Sequence, residues 1–133
     1  MTRLKIALRL DAVVTAANGA AYLTLAGPVG DVLELSPSLL RTAGAFLLAF
    51  ACVVWLAGTR DRPSRPLVAA IIAANAVWAV DSVVAAAAGW GSPSTTGTVW
   101  IVLQALVVAG FAGLQLAGLR RTLPPARPVA SAA

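Results

Sequence analysis

The chain has 133 residues, of which 59% are hydrophobic and only 11% are charged, whereas about 25% of the residues in an ordinary soluble domain are charged. So few polar residues cannot cover the surface of a soluble core, and we therefore expect an integral membrane protein. The net charge of +5 comes from basic residues near helix ends, so it does not indicate a nucleic-acid partner. Histidine is absent and Cys52 is the single cysteine, which excludes an internal disulfide, imidazole-ligated haem and the usual zinc sites.

Four apolar segments are long enough to cross a bilayer, which requires about 20 residues per helix. They cover about residues 6–26, 39–58, 66–89 and 98–119. Because the connections between them are short, neighbouring helices must be antiparallel. We predict an all-α fold in which residues 1–121 form a four-transmembrane-helix up-down-up-down bundle. Residues 122–133 are rich in proline and alanine and are predicted to be a disordered cytoplasmic tail.

The basic residues are distributed very unevenly between the two ends of this bundle. Arg41 is alone at one end. Nine basic residues are expected at the other end: Arg3, Lys5, Arg9, Arg60, Arg62, Arg65, Arg120, Arg121 and Arg127. This asymmetry predicts that both termini lie in the cytoplasm. The single lysine and the abundance of Ala, Val, Gly and Arg are typical of a GC-rich bacterial genome, so the expected location is the bacterial plasma membrane.

A cleaved signal peptide is the alternative interpretation of the first segment. TRLKIALR, residues 2–9, is a basic start, and Thr24, Leu25 and Ala26 resemble a cleavage site. Cleavage would leave three spans. Asp11 and Asn18 interrupt the apolar stretch and favour a retained helix.

One face of the first span carries a stripe of polar residues. Asp11, Thr15, Asn18 and Tyr22 are separated by 4, 3 and 4 positions, which places them on one side of a helix. Because polar groups are costly in hydrocarbon, we predict that this stripe faces the bundle interior. Asp11 is near the cytoplasmic end and is expected to form an interfacial ion pair with Arg9. Small residues are expected to let helices approach closely: Gly44, Ala45, Ala49, Gly110 and Gly113.

Asp81 is an acid inside the third span, about 12 Å from its outer end at 1.5 Å per residue. Asn18 and Gln104 lie within about one helical turn of the same depth, and Arg41 begins the second span. These four residues form a candidate intramembrane polar cluster. Two roles are open for Asp81: a buried structural acid, paired with Arg41 or protonated and bonded to an amide, or a titrating site in a transport path.

Four tryptophans are further candidates for a ligand pocket: Trp55, Trp78, Trp90 and Trp100. Trp90 and Trp100 flank the outer loop and are expected to form an interfacial aromatic belt.

Three stretches resemble an uncharacterised family of small four-helix bacterial integral membrane proteins: LRLDAV (8–13), NAVWAVDS (75–82) and QALVVAGFAGLQLAGLRR (104–121). This resemblance implies the four-helix fold and no known activity. Small multidrug exporters have the same size and number of spans, and they carry a glutamate in the middle of the first helix. This chain has no glutamate at that depth, where Thr15 to Asn18 lie, so the resemblance to the exporters fails there.

The sequence favours a non-enzymatic accessory or interaction protein of the membrane. The alternative is a small proton-coupled transporter that acts as an oligomer and uses Asp81 as its titrating site. An enzyme ranks third, because acid–base catalysis would have neither a histidine nor two acids at one depth. We expect no cofactor and no nucleic acid, and the expected partners are the lipid bilayer and another membrane protein or a second copy of the chain.

Overall fold

A computed structural model describes residues 2–90 and 92–121, which form five helices. The helices are α1 (Thr2–Thr24), α2 (Ala26–Leu33), α3 (Pro37–Thr59), α4 (Arg65–Ala88) and α5 (Thr95–Arg121). No strand occurs within these residues, so the predicted all-α class is confirmed. The predicted disordered tail, 122–133, lies outside the described residues.

Serine residues fix the starts of the three longest apolar helices. The Oγ atoms of Ser36 and Ser64 accept the backbone N–H groups of Leu39 and Leu67 at 3.4 and 3.5 Å. Ser94 caps α5 in the same way, by accepting the N–H of Gly97 at 3.0 Å. Each serine occupies one of the N–H groups that the first helical turn leaves without a partner.

The four long helices pack in antiparallel pairs. α1 packs mainly against α3, and α4 packs mainly against α5, while α1 and α5 join the two pairs. At the α1–α3 crossing, a Cβ on Gly19 would lie 2.9 Å from the carbonyl oxygen of Gly44, and one on Gly44 would lie 2.7 Å from that of Gly19. Gly44 therefore allows α1 and α3 to approach closely, as the sequence predicts. The same expectation is wrong for Gly110 and Gly113, which face open space.

A hydrophobic core closes one end of the bundle. We call this end of the bundle the basic end, because it carries Arg9, residues 60–64 and Arg120. The buried side chains belong to the first turns of α1, the last turns of α3 and the start of α4: Leu4, Leu8, Ala12, Val54, Ala57, Val68 and Ile71. Arg9 Nε donates to the carbonyl oxygen of Gly58 at 3.0 Å, and Lys5 Nζ lies 4.0 Å from Asp61 Oδ1. These contacts hold α1, α3 and the α3–α4 loop together.

The opposite end is crossed by α2, in a segment that the sequence predicts as a loop. α2 is bent by 96° from α1. Ser94, the capping residue of α5, bonds to the last residues of α2. The backbone N–H of Ser94 donates to the carbonyl oxygen of Leu33 at 3.0 Å, and its hydroxyl donates to that of Val32 at 2.9 Å. Pro28 is tolerated in this helix because it lies in the first turn, where its missing N–H has no partner to lose.

Three helices, α3, α4 and α5, are long and apolar enough to cross a membrane. A fourth span results when α1 and α2 are counted together as one bent unit. α1 is the less apolar helix because it carries the polar stripe, which its contacts with α3 and α5 turn toward the inside of the bundle.

Candidate functional site

A partly open cavity with a volume of about 870 Å³ lies between α1, α3, α4 and α5. It forms because α3 and α4, although joined at the basic end, make little contact along the rest of their length. On α3 the lining residues lie between Leu39 and Phe50, a distance of about 16 Å along the helix. This volume is typical of sites that bind small molecules.

Six aromatic side chains line the cavity: Tyr22, Phe46, Phe50, Trp78, Trp100 and Phe111. The ring of Phe46 is stacked on that of Trp78, with 6.0 Å between the ring centroids, and this contact bridges α3 and α4. Trp100 Nε1 donates to Tyr22 Oη at 2.6 Å and links α5 to α1. Trp100 therefore lines the cavity as Trp78 does, whereas Trp55 and Trp90 are exposed and do not line it.

A buried polar cluster, which we call the Asp11 cluster, consists of Asp11, Thr15, Asn75 and Gln115. Asp11 Oδ2 accepts from Asn75 Nδ2 at 2.7 Å and from Gln115 Nε2 at 2.6 Å, and Oδ1 accepts from Thr15 Oγ1 at 3.0 Å. Asn75 Nδ2 also donates to Gln115 Oε1 at 3.2 Å. The cluster joins α1, α4 and α5, and its members Thr15 and Asn75 also line the cavity.

The expected ion pair between Asp11 and Arg9 does not form. Two residues that are two positions apart on a helix point about 200° apart, so the two side chains leave α1 on opposite sides. Arg9 contacts Gly58, and Asp11 is 0% exposed. All three side chains that contact Asp11 donate to it, which suits a carboxylate because a carboxylate only accepts hydrogen bonds.

The candidate cluster of Asn18, Asp81, Gln104 and Arg41 is only partly assembled. Asn18, Asp81 and Gln104 line the cavity, but none of them bonds to another. Gln104 instead accepts the N–H of Trp78 at 3.0 Å and donates to the carbonyl oxygen of Ile101 at 3.0 Å.

Arg41 is exposed and does not line the cavity. The inward face of α3 at this level is formed by Leu39, Thr42 and Ala43, and Arg41 lies beside that stripe. Asp81 is also exposed, and among the described residues it has no hydrogen-bond or salt-bridge partner. The hypothesis of a buried structural Asp81, either paired with Arg41 or protonated and bonded to an amide, is therefore wrong.

Sequence reasoning missed Asn75 and Gln115 as the partners of Asp11. A usable signal was present, because each of the three residues lies about 9–15 Å from the basic end of its helix at 1.5 Å per residue. Polar residues at one depth in adjacent apolar helices are expected to meet.

Comparisons with known protein families, with curated proteins and with solved structures found no match to this chain. Within residues 2–90 and 92–121, no group of three or more His, Cys, Asp or Glu side chains is arranged to hold a metal ion. The cavity and the Asp11 cluster beneath it are therefore the features on which a function can be argued.

Proposed function

We propose that the chain is a four-span protein of a bacterial plasma membrane that binds a small amphiphilic molecule between its helices. Its role would be that of an accessory or interaction protein and not that of an enzyme. The observation that carries this proposal is the cavity of about 870 Å³, which combines an aromatic wall with a polar floor. Ligand sites in proteins have this composition, since apolar walls supply burial and a few polar groups set orientation.

The membrane assignment rests on the surface of the bundle. Large apolar side chains point outward from the long helices; Leu56, Val80 and Leu106 are each at least 60% exposed. Lipid is the solvent that such a surface requires. In the proposed topology, α1 is retained as the first span, α2 lies along the outer surface, and the basic end and both termini are cytoplasmic.

Exposed apolar side chains on the cavity wall also favour a ligand. Phe46, Val77 and Leu103 line the cavity and are more than half exposed, so an apolar molecule bound between the helices would pack against them. The Asp11 cluster and the two tryptophan hydrogen bonds fix the positions of the lining side chains, as a preformed site requires.

Binding of a brominated neutral detergent to the purified protein tests the proposal, since bromine quenches the fluorescence of nearby tryptophans such as Trp78 and Trp100. Ala43 lines the cavity, and Ala49 lies on the exposed side of the same helix. We expect saturable quenching in the wild type and in Ala49→Phe. The saturable part of the quenching should be reduced in Ala43→Phe, because the ring projects into the cavity, whereas quenching of the exposed Trp55 and Trp90 should be the same in all three proteins. Equal quenching in both variants, or quenching that never saturates, would contradict the proposal.

A second candidate is a proton-coupled transporter that acts as an oligomer, and one observation favours it. Two acids belong to the same site: Asp81 lines the cavity and Asp11 lies in the cluster that forms its floor. Acids within membrane spans often mark proton paths. A transporter should move protons into proteoliposomes when a ligand gradient is applied, and Asp81→Asn should abolish that flux. Ligand binding without any proton flux would leave the binding protein as the better assignment.

A further inference from the structure

We infer that the cavity selects lipophilic cations over neutral or anionic molecules of the same shape. This inference rests on the proposed function and names the class of ligand: an apolar, ring-bearing body with a single positive charge, such as a substituted ammonium or phosphonium. Three separate properties of the lining residues lead to it.

The first property is charge. Asp81 is the one charged side chain among the described residues that line the cavity, and neither Lys nor Arg is part of the lining. Asp81 also lacks a hydrogen-bond or salt-bridge partner in the described part of the chain. A carboxylate beside low-dielectric walls attracts a cation much more strongly than it would in bulk water.

The second property is that most hydrogen-bond donors of the lining side chains are already bonded to acceptors within the protein. The indole N–H groups of Trp78 and Trp100 donate to Gln104 and Tyr22. The hydroxyl of Thr42 donates to the carbonyl oxygen of Ser38.

The other lining donors are also engaged within the protein. The side-chain amide of Asn75 and the hydroxyl of Thr15 donate to the Asp11 cluster, and the amide of Gln104 donates to Ile101. An anion requires free donors for its stabilisation, and among the lining side chains only the amide of Asn18, the second amide N–H of Gln104 and the hydroxyl hydrogen of Tyr22 remain for it. The unused polar capacity of the site therefore consists mainly of acceptors.

The third property is the position of the aromatic rings relative to the acid. Trp78 precedes Asp81 by three residues on α4, so the two side chains lie on neighbouring positions of one helix face. Phe46 is stacked on Trp78 from the opposite helix. A cation close to Asp81 would lie within reach of these rings, whose electron-rich faces attract positive charge. The apolar body would then extend toward Asn75, about 9 Å further along α4.

Tetraphenylphosphonium and tetraphenylborate test the inference, because they match in shape and differ in the sign of the charge. Their binding to the protein in discs of zwitterionic lipid is measured by equilibrium dialysis, and binding to protein-free discs is subtracted. Asp81→Asn removes the charge and keeps the shape. Asp31→Asn is the control, because Asp31 is an exposed acid on α2 outside the cavity.

We expect the wild type and Asp31→Asn to bind tetraphenylphosphonium with equal affinity, and Asp81→Asn to bind it about tenfold or more weakly. Tetraphenylborate should show little specific binding. Equal binding of the two ions, or an unchanged affinity in Asp81→Asn, would overturn the inference.

Binding of the brominated neutral detergent distinguishes failure of the charge-selection inference from failure of the proposed function. If the detergent still binds and is excluded by Ala43→Phe, the cavity is a binding site without charge selection. If neither ion nor the detergent binds specifically, both the inference and the proposed function are wrong.

Discussion

The two acids of the bundle occupy contrasting environments. Asp11 is fully buried and accepts three hydrogen bonds, whereas Asp81 is exposed and has no partner among the described residues. The sequence suggests the reverse, since Asp81 lies deeper in its apolar segment and Asp11 lies beside a basic residue. The difference arises because burial depends on which helices adjoin each acid, and α3 and α4 leave a gap beside Asp81.

Substitution of Asp11 should separate the roles of shape and hydrogen bonding. Asp11→Asn keeps an oxygen to accept from Asn75 and Gln115, and its new N–H₂ group can donate to the hydroxyl of Thr15. Asp11→Leu leaves the N–H groups of Asn75 and Gln115 without their acceptor, at a cost of about 1–3 kcal/mol for each unpaired group. In thermal unfolding in detergent, we expect a Tm close to that of the wild type for Asn and a Tm several degrees lower for Leu.

Asp81→Leu supplies the matched control for this experiment. Because Asp81 has no partner among the described residues to lose, the Tm of this variant should equal or exceed that of the wild type. A loss of stability comparable to that of Asp11→Leu would show that Asp81 is held in the bundle by contacts that the structure does not contain.

Among the helices, the α1–α3 contact is a close approach of two backbones, and it is open to a direct test. Gly44→Ala would place a Cβ 2.7 Å from the carbonyl oxygen of Gly19, so the helices must separate. Gly110→Ala meets nothing within 4 Å and gains helix propensity, worth up to about 1 kcal/mol. We expect Gly44→Ala to lower the Tm and Gly110→Ala to leave it unchanged or raise it. Equal effects would mean that α1 and α3 are not in contact at Gly44.

The long helices could be predicted from the sequence with good accuracy. The segments 39–58, 66–89 and 98–119 correspond to α3 (Pro37–Thr59), α4 (Arg65–Ala88) and α5 (Thr95–Arg121). Apolar length and the caps at Ser36, Ser64 and Gly89 are local properties, so they can be read without knowledge of packing.

The short helix α2 and the cavity could not be predicted in this way. α2 depends on the hydrogen bonds from Ser94, a residue that is distant in the sequence. The cavity depends on the distance between α3 and α4, which periodicity does not determine. The inward face of α1 was predictable from periodicity alone, whereas the partners of Asp11 on α4 and α5 could be found only by comparing the depths of polar residues between helices.

At the scale of the whole molecule, the bundle is asymmetric from end to end. The basic end is filled by the hydrophobic core around Leu8 and Val54 and is closed by the contact between Arg9 and Gly58. The Asp11 cluster separates that core from the cavity, and α2 crosses the opposite end. A ligand would therefore enter from the opposite end or through the gap between α3 and α4, and not from the basic end.

The proposed orientation places the basic end in the cytoplasm, because basic residues are enriched in cytoplasmic loops of membrane proteins. Asp31 on α2 and Asp61 in the α3–α4 loop are exposed acids at opposite ends, so cysteines there are matched in chemistry. Cys52 is exposed and must first be replaced by serine. We expect a membrane-impermeant maleimide to label Asp31→Cys in intact cells and to label Asp61→Cys only after permeabilisation. The opposite pattern would place the basic end outside, and the cavity would then open toward the cytoplasm.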